Sequence, residues 1–438
     1  MDSIPKALQY GVANSQARVV RQKLQPLGVS TGSAGSTVRF LLPQKAIIDM
    51  RSLSFNYDYT IAGLVATDGN NYSNAQFPAT YQHWSSVKVF CSGASAAGAQ
   101  CNHYDMVHHA LAKASVGEDY CNSRLNNAYE SLINYNGAVG TNGATSKVLQ
   151  ATFDDLVVFR SKNSCYDSSL FGNIEIELTF NNNNILKIAR AGTPDAAAAK
   201  AAVFHAFSNI TCSVDTVVSI SPLYVSLLSE RLQVQTPLRL PFSEVRTVLA
   251  SNTGSNRITL QSSCVDAVMV GFLNADPNAY TPTDAAGSQA IANMPRYKFA
   301  IDPAQQNALA FQLTCGSEVY PRQAVQKLAE IADITTNSLF GNSTASTNLL
   351  YASAVPATGL AGYSRAALAT DGAIAITKFG LGEEGYASGL LVGLQTNGVA
   401  TDCVVNSNQT AASHLLIASL QTSQLVFDPQ TSAVSIEA

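Results

Sequence analysis

Residues 52–61, SLSFNYDYTI, alternate without a break: Leu53, Phe55, Tyr57, Tyr59 and Ile61 against Ser52, Ser54, Asn56, Asp58 and Thr60. Successive side chains of a strand point to opposite faces, so this period of two specifies a strand with one dry face and one wet one. Ile174, Ile176, Leu178 and Phe180 repeat the pattern against Glu175, Glu177 and Thr179, and the run Asn181 to Asn184 that follows is a turn signal. Further short strand-like segments read at 37–42, 86–90, 156–159, 214–220, 258–260, 265–272, 309–313, 374–379, 415–420 and 424–427. Many short strands separated by polar, glycine-containing turns predict an all-β chain of antiparallel sandwiches.

Helical periodicity is local. Tyr104, Val107, His108 and Leu111 would share one face, as would Leu125, Ala128, Tyr129 and Leu132, so 102–134 reads as two short helices inserted between strands. Ser221 and Pro222 read as a cap and first helical position of a helix running to about Leu232. Pro321 reads as the start of another, with Ala324, Val325, Leu328 and Ile331 inward. The order of pieces occurs twice: VRFLLP (38–43) opens one strand series and LRLPF (238–242) a second, at an offset of about 200 residues, the size of one elaborated sandwich.

Length and composition set bounds on this. The chain has 438 residues, 46% of them hydrophobic, enough for two or three cores. Charged residues are only 13%, against about 25% in a typical globular protein. Charge is what interface cores lose first, so the deficit points to extracellular life or to surface buried between copies. The net charge of −4 excludes a global electrostatic footprint for nucleic acid. The N-terminal segment carries Lys6, Arg18, Arg21 and Lys23 against Asp2; it reads either as a solvated tail or as an arm ordering against a neighbour or an enclosed genome. No apolar run reaches the roughly 18 residues that cross a bilayer, and MDSIPKALQYGVANSQARVV lacks the plan of a secretory signal, so export by that route is not expected. The eight cysteines are scattered with no C-x-x-C pair and are expected as buried thiols. The sequons at Asn71, Asn209, Asn342 and Asn408 then read as chance matches.

Candidate chemistry is sparse. FGLGEEG (379–385) has the G-x-G-x-x-G spacing, with Asp402 downstream, but a dinucleotide site needs that loop to open a helix, and YASGLLVGL follows instead. His103, Asp105, His108 and His109, just after Cys101, form the densest cluster of metal-ligand types. Asp105 and His109 would lie one helical turn apart, yet nothing nominates a third ligand, and His108 sits on the apolar stripe. A packing or subunit-contact helix is the expectation there. No G-x-S-x-G elbow occurs, and the adjacent carboxylates Asp154-Asp155 and Glu383-Glu384 would point to opposite faces of a strand. No catalytic, cofactor-binding or metal-binding residue is assigned.

The pieces, in succession, resemble the double jelly-roll major capsid proteins of icosahedral DNA viruses, the group of polinton-like viruses, virophages and large algal viruses. RQKLQPLGVSTGSAGSTVRFLLPQKAIIDMRSLSFNYDYTI (21–61) is similar to the N-terminal arm and first strands, and WSSVKVFCSGA (84–94) with the helices after it to the next strand and its insertion. FGNIEIELTF (171–180) resembles late strands of the first barrel, NITCSVDTVVSISPLYVSLLSERL (209–232) the crossing into the second, and FQLTCGSEVYPRQAVQKLAEI (311–331) a strand, turn and helix there. The resemblance implies two tandem eight-stranded jelly rolls with short inserted helices, divided as an arm (1–33), a first barrel (34–220) and a second (221–438). It also implies homotrimers of six-fold-like outline that tile a shell with neighbouring trimers and minor or penton proteins. Such a subunit lives in the virion, assembled inside the host cell, touches packaged DNA at most non-specifically, and is no enzyme and needs no cofactor. Alternatives from other classes are a β-sandwich glycan-binding or adhesin protein, for which the sole tryptophan, Trp84, reads as core rather than platform, a sandwich hydrolase, and a single-jelly-roll coat with a projection domain.

Overall fold

The computed structural model describes residues 18–62, 66–67, 71–76, 78–91, 99–115, 146–154, 156, 165–190, 204–217, 222–234, 237–260, 264–279, 296–301, 309–327, 330–331, 333–335, 373–379, 394–395, 401–408 and 413–437. The first half contains β1 (Val19–Leu24), β2 (Gly32–Ser33), β3 (Thr37–Leu41), β4 (Ile47–Ala62), β5 (Ala66–Thr67), β6 (Asn71–Gln76), β7 (Trp84–Cys91), β8 (Gln100–Asn102), β9 (Ser146–Phe153), β10 (Cys165–Asp167), β11 (Ile174–Phe180), β12 (Lys187–Arg190) and β13 (Phe204–Val217). Helices α1 (Tyr104–Ser115) and α2 (Ser168–Phe171) interrupt them, and α3 (Pro222–Gln233) leads into the second half. There follow β14 (Leu238–Ser251), β15 (Ser255–Leu260), β16 (Cys264–Leu273), β17 (Phe311–Cys315), β18 (Glu318–Val325), β19 (Ile374–Lys378), β20 (Leu394–Gln395), β21 (Thr401–Asn406), β22 (His414–Asp428) and β23 (Ala433–Glu437).

The second half pairs as β14-β22-β16-β19 in one sheet and β15-β21-β17-β18 in the other. The last long strand thus lies beside the first, and the strands are divided between the two sheets in the order of a jelly roll's double Greek key. The first half repeats it: β1-β13-β4-β10 in one sheet, with β9 also on β4, and β3-β11-β7-β8 in the other. Every one of these pairings is antiparallel.

β4 realises the alternation of 52–61: Leu53, Phe55, Tyr57, Tyr59 and Ile61 are buried, while Asn56, Asp58 and Thr60 are half-exposed. Its dry face meets an aromatic core in which Trp84 stacks on Phe180 at 4.7 Å and Phe180 on Phe207 at 3.7 Å between ring centroids. The second barrel's own core is mainly aliphatic, built on Val268, Val270, Phe272, Leu313, Val405 and Ile417.

Four expectations are corrected by the strand order. VRFLLP and LRLPF are not equivalents: the first lies mostly in β3, which pairs with β11 at the edge of its sheet, and the second begins β14, which pairs with the last long strand, β22. The true equivalents β3 and β15 start at 37 and 255, about 218 residues apart; an apolar run around an arginine is common to many strands and does not fix which one it is. Pro321 does not open a helix but lies within β18, where Tyr320 and Val319 pair with Leu313 and Thr314 of β17; helical residues come only later, at 330–331 and 333–335. The segments 415–420 and 424–427 are one strand, β22, because Thr422 and Ser423 between them find partners inside the sheet. Thr422 donates to Asp266 at 2.6 Å and Ser423 to Glu244 at 3.2 Å. Within the segment expected as an arm, Val19–Leu24 pairs over its full length with β13. Most of 156–159 and all of 125–132 lie outside the described residues, and Leu156 itself is in no strand.

Candidate functional site between the two barrels

The β14-β22-β16-β19 sheet has no wet face over most of its central strands. In β22 every residue from Leu415 to Val426 is buried, and in β16 every residue from Val265 to Leu273. Neighbouring residues go to different cores: Val270, Leu415 and Ile417 face into the second barrel, while Met269, Leu416 and Ala418 join the hydrophobic core that is continuous with the first barrel. Burying an apolar side chain stabilises by about 1.5–3 kcal/mol, so several such residues make this junction as cohesive as a domain interior. Gly271 leaves room for the Phe299 ring: a Cβ there would stand 2.5 Å from it.

The surface opposed to this sheet comes from the first barrel. Thr247 of β14 donates to the Asn102 carbonyl at 2.6 Å, Phe171 of α2 meets Phe427 edge-on, and His109 of α1 lies against Tyr297 and Phe299. At its centre, Asp105 in the first turn of α1 is fully buried, and Arg296 beside it is 3% exposed. The guanidinium is bidentate, Nε to Oδ2 at 2.5 Å and Nη2 to Oδ1 at 3.0 Å, with Nη1 donating to Asn278 Oδ1 at 3.0 Å. The Tyr297 hydroxyl adds a bond to Oδ2 at 2.8 Å. Burial alone would lower the Arg296 pKa, but the Asp105 charge and its hydrogen bonds reverse this and hold the guanidinium above its usual value. Burial and then the same carboxylate push the Tyr297 hydroxyl well up. A paired charge inside a core is tolerated only with this degree of satisfaction.

The side chains of the candidate ligand cluster have partners within this junction. His109 Nδ1 and the Tyr81 hydroxyl are 2.6 Å apart, His108 stacks on Tyr81 at 4.5 Å, and the His103 carbonyl accepts from the amides of Met106 and Val107 at the start of α1. Among the described residues no group of three metal-ligand side chains converges. Asp402 pairs with Arg257 and accepts from Thr259 across two strands; of FGLGEEG only Phe379 is described. Trp84 is core.

Of the N-terminal basic residues, Lys6 lies outside the described residues and Arg18 is exposed just before β1. Arg21 binds Asp215 at 3.2 Å and Ser54 Oγ at 2.8 Å, and Lys23 is exposed on the same strand opposite Ser213. No helix among the described residues is long and apolar enough to cross a membrane.

No protein-family model matches this chain, and no curated protein matches it in sequence. Solved structures do. The chain is similar to a structure of the Sputnik virophage at 14% identity, covering 96% of this chain and 88% of that one, with a TM-score of 0.57. It is similar to the Faustovirus major capsid protein at 9% identity, covering 93% and 90%, TM-score 0.56, and to the capsid of the virus PBCV-1 at 10% identity, covering 94% of both, TM-score 0.54. The fold is the double jelly roll. The double jelly roll accounts for both halves and for the junction, since the likeness runs through both barrels rather than stopping at one.

Asp105 appeared in the sequence only as a metal-ligand type, and its partner Arg296 carried no signal at all. The junction sheet did carry one. VDAVMVGFL (265–273) and LLIASL (415–420) are near-continuous apolar runs without alternation, the pattern of strands covered on both faces.

Proposed function

We propose that this chain is the major capsid protein of an icosahedral DNA virus, a structural subunit with no catalytic chemistry. The observation that carries this is a double jelly roll shared over nearly the whole chain with viral coat structures, and the charge content of 13% adds support. Its mechanism is assembly. The protomer is stiffened by the shared core at the junction, three protomers form a pseudo-hexagonal homotrimer, and trimers tile a shell with minor or penton proteins. Burial of the remaining strand edges between copies removes sites for uncontrolled pairing. The protein then resides in the virion.

The division we propose follows the expected one, with barrels at 34–220 and 221–438 and the first barrel taking Val19–Leu24 from the preceding arm. Lys6, Arg18 and Lys23 are left to face the shell interior or a neighbouring capsomer, in at most non-specific contact with DNA, while Arg21 is engaged in holding β1 to β13. Native mass spectrometry of the purified protein tests the reading. A trimer of about 139 kDa, three times 46.2 kDa, is expected; a monomer that forms no assembly at any salt concentration overturns it.

A further inference from the structure

The second barrel carries two cysteines facing each other across its β15-β21-β17-β18 sheet. β17 and β21 run antiparallel with Leu313 opposite Val405, Thr314 opposite Val404 and Cys315 opposite Cys403. The Gly316 amide donates to the Asp402 carbonyl at 3.0 Å, one residue outside the cysteines on both strands. That places Cys315 and Cys403 at a non-hydrogen-bonded position, the narrow type in which facing Cα atoms approach to about 4.5 Å. Disulfides form at Cα separations of about 4.4–6.8 Å. The sulfurs are already in thiol-to-thiol contact at 2.9 Å. Among the other described cysteines with a strand partner, none faces a second one: Cys91 is opposite Ile174, Cys101 opposite Val87, Cys165 opposite Asp49, Cys212 opposite Phe55 and Cys264 opposite Gln395.

We propose that Cys315 and Cys403 are an oxidisable dithiol that closes into a cross-strand disulfide when the protein meets a small-molecule disulfide such as oxidised glutathione. The Cys315 thiolate attacks one sulfur of the oxidant, breaking its S–S bond and releasing one reduced thiol. Cys403 then gives up its proton and attacks the Cys315 sulfur, expelling the second. The two cysteines lose two protons and two electrons, and the oxidant gains them as two thiols. Cys315 is the first attacker because its hydrogen bond with Cys403 holds its pKa down and because the exposed turn at Gly316 and Ser317 adjoins it. The staple spans 88 positions of chain, and closing a long loop constrains the unfolded state most. A subunit assembled with reduced thiols would therefore be locked on entering oxidising surroundings.

The test is to incubate the purified full chain with oxidised or with reduced glutathione, then denature, alkylate and digest it without reduction, and map the peptides by mass spectrometry. Two of the eight cysteines should escape alkylation, in a single linked pair joining 315 to 403. Oxidation should raise the melting temperature by about 5 °C, a gain absent from Cys315→Ala and Cys403→Ala. Full alkylation after oxidation, a link between any other pair, or glutathione left attached to Cys315 overturns the proposal, and these readouts on the wild-type chain do not depend on the variants folding.

Discussion

β4 and β22 are the long central strands of their barrels, 16 and 15 residues, and each is paired on both sides. They differ in what covers them. From Phe55 to Ala62 β4 alternates buried and half-exposed residues and presents one face to solvent, whereas β22 is buried on both faces over twelve consecutive positions, Leu415 to Val426. The second face of β22 is dry because the first barrel lies on it. The two barrels therefore meet as parts of one core, and the protomer is stiff at the place where a docked pair of domains would hinge.

The comparison is broken hardest at Asp105. Replacing it with alanine leaves Arg296 charged and unpaired in the core, at an expected cost of about 3–5 kcal/mol in urea unfolding; a loss no larger than that of an exposed pair would mean the junction is wet. Next come adjacent positions of each strand. Leu416→Ala and Ile417→Ala should each cost about 2–5 kcal/mol because each empties a different core, whereas Tyr59→Ala should cost about as much and its neighbour Thr60→Ala only about 0.5 kcal/mol. Equal costs at 59 and 60 would show that β4 too is covered on both sides.

The barrels also differ in acid response. His205 is held neutral by burial, its pKa lowered to about 4, with the Asn181 carbonyl at 2.8 Å opposing the shift. Its contribution is complete above pH 6.5 and drains as pH falls toward 4, by up to about 3 kcal/mol. Burial also lowers the pKa of His83, beside it, below the usual value. Asp266 in the second barrel runs the other way, its pKa raised by burial to about 6 against the lowering effects of Thr422 and Lys378. It favours folding below pH 3.8 and costs stability as pH rises to about 6. His205→Gln should flatten the acid limb of the pH–stability curve. Asp266→Asn should raise stability at pH 7 by about 1–3 kcal/mol; unchanged curves would place both groups in water. The smallest effect belongs to Arg21→Ala. Its ion pair with Asp215 is 53% exposed on the arginine side, and its loss should cost at most about 1 kcal/mol in the same unfolding assay.

Much of this was legible beforehand, for a local reason. A strand with one wet face must alternate, so 52–61 and 174–180 declared themselves, and their neighbours were found by the same rule. Boundaries failed where polar residues were satisfied inside a sheet, as at Thr422 and Ser423, or where proline was tolerated in a strand with few partners, as at Pro321. Both are cases of tertiary partners overriding local signals.

The sequence by itself determined that the chain is all-β, that it holds two sandwiches in tandem, and that its surface is poor in charge, because periodicity and composition are properties of the chain alone. Only the tertiary structure decided that Arg296 answers Asp105 across 191 positions, that Cys315 faces Cys403 across 88, and that Leu416 and Ile417 serve different cores. Those facts depend on which segments meet, and that is set by packing and pairing between residues far apart in the chain.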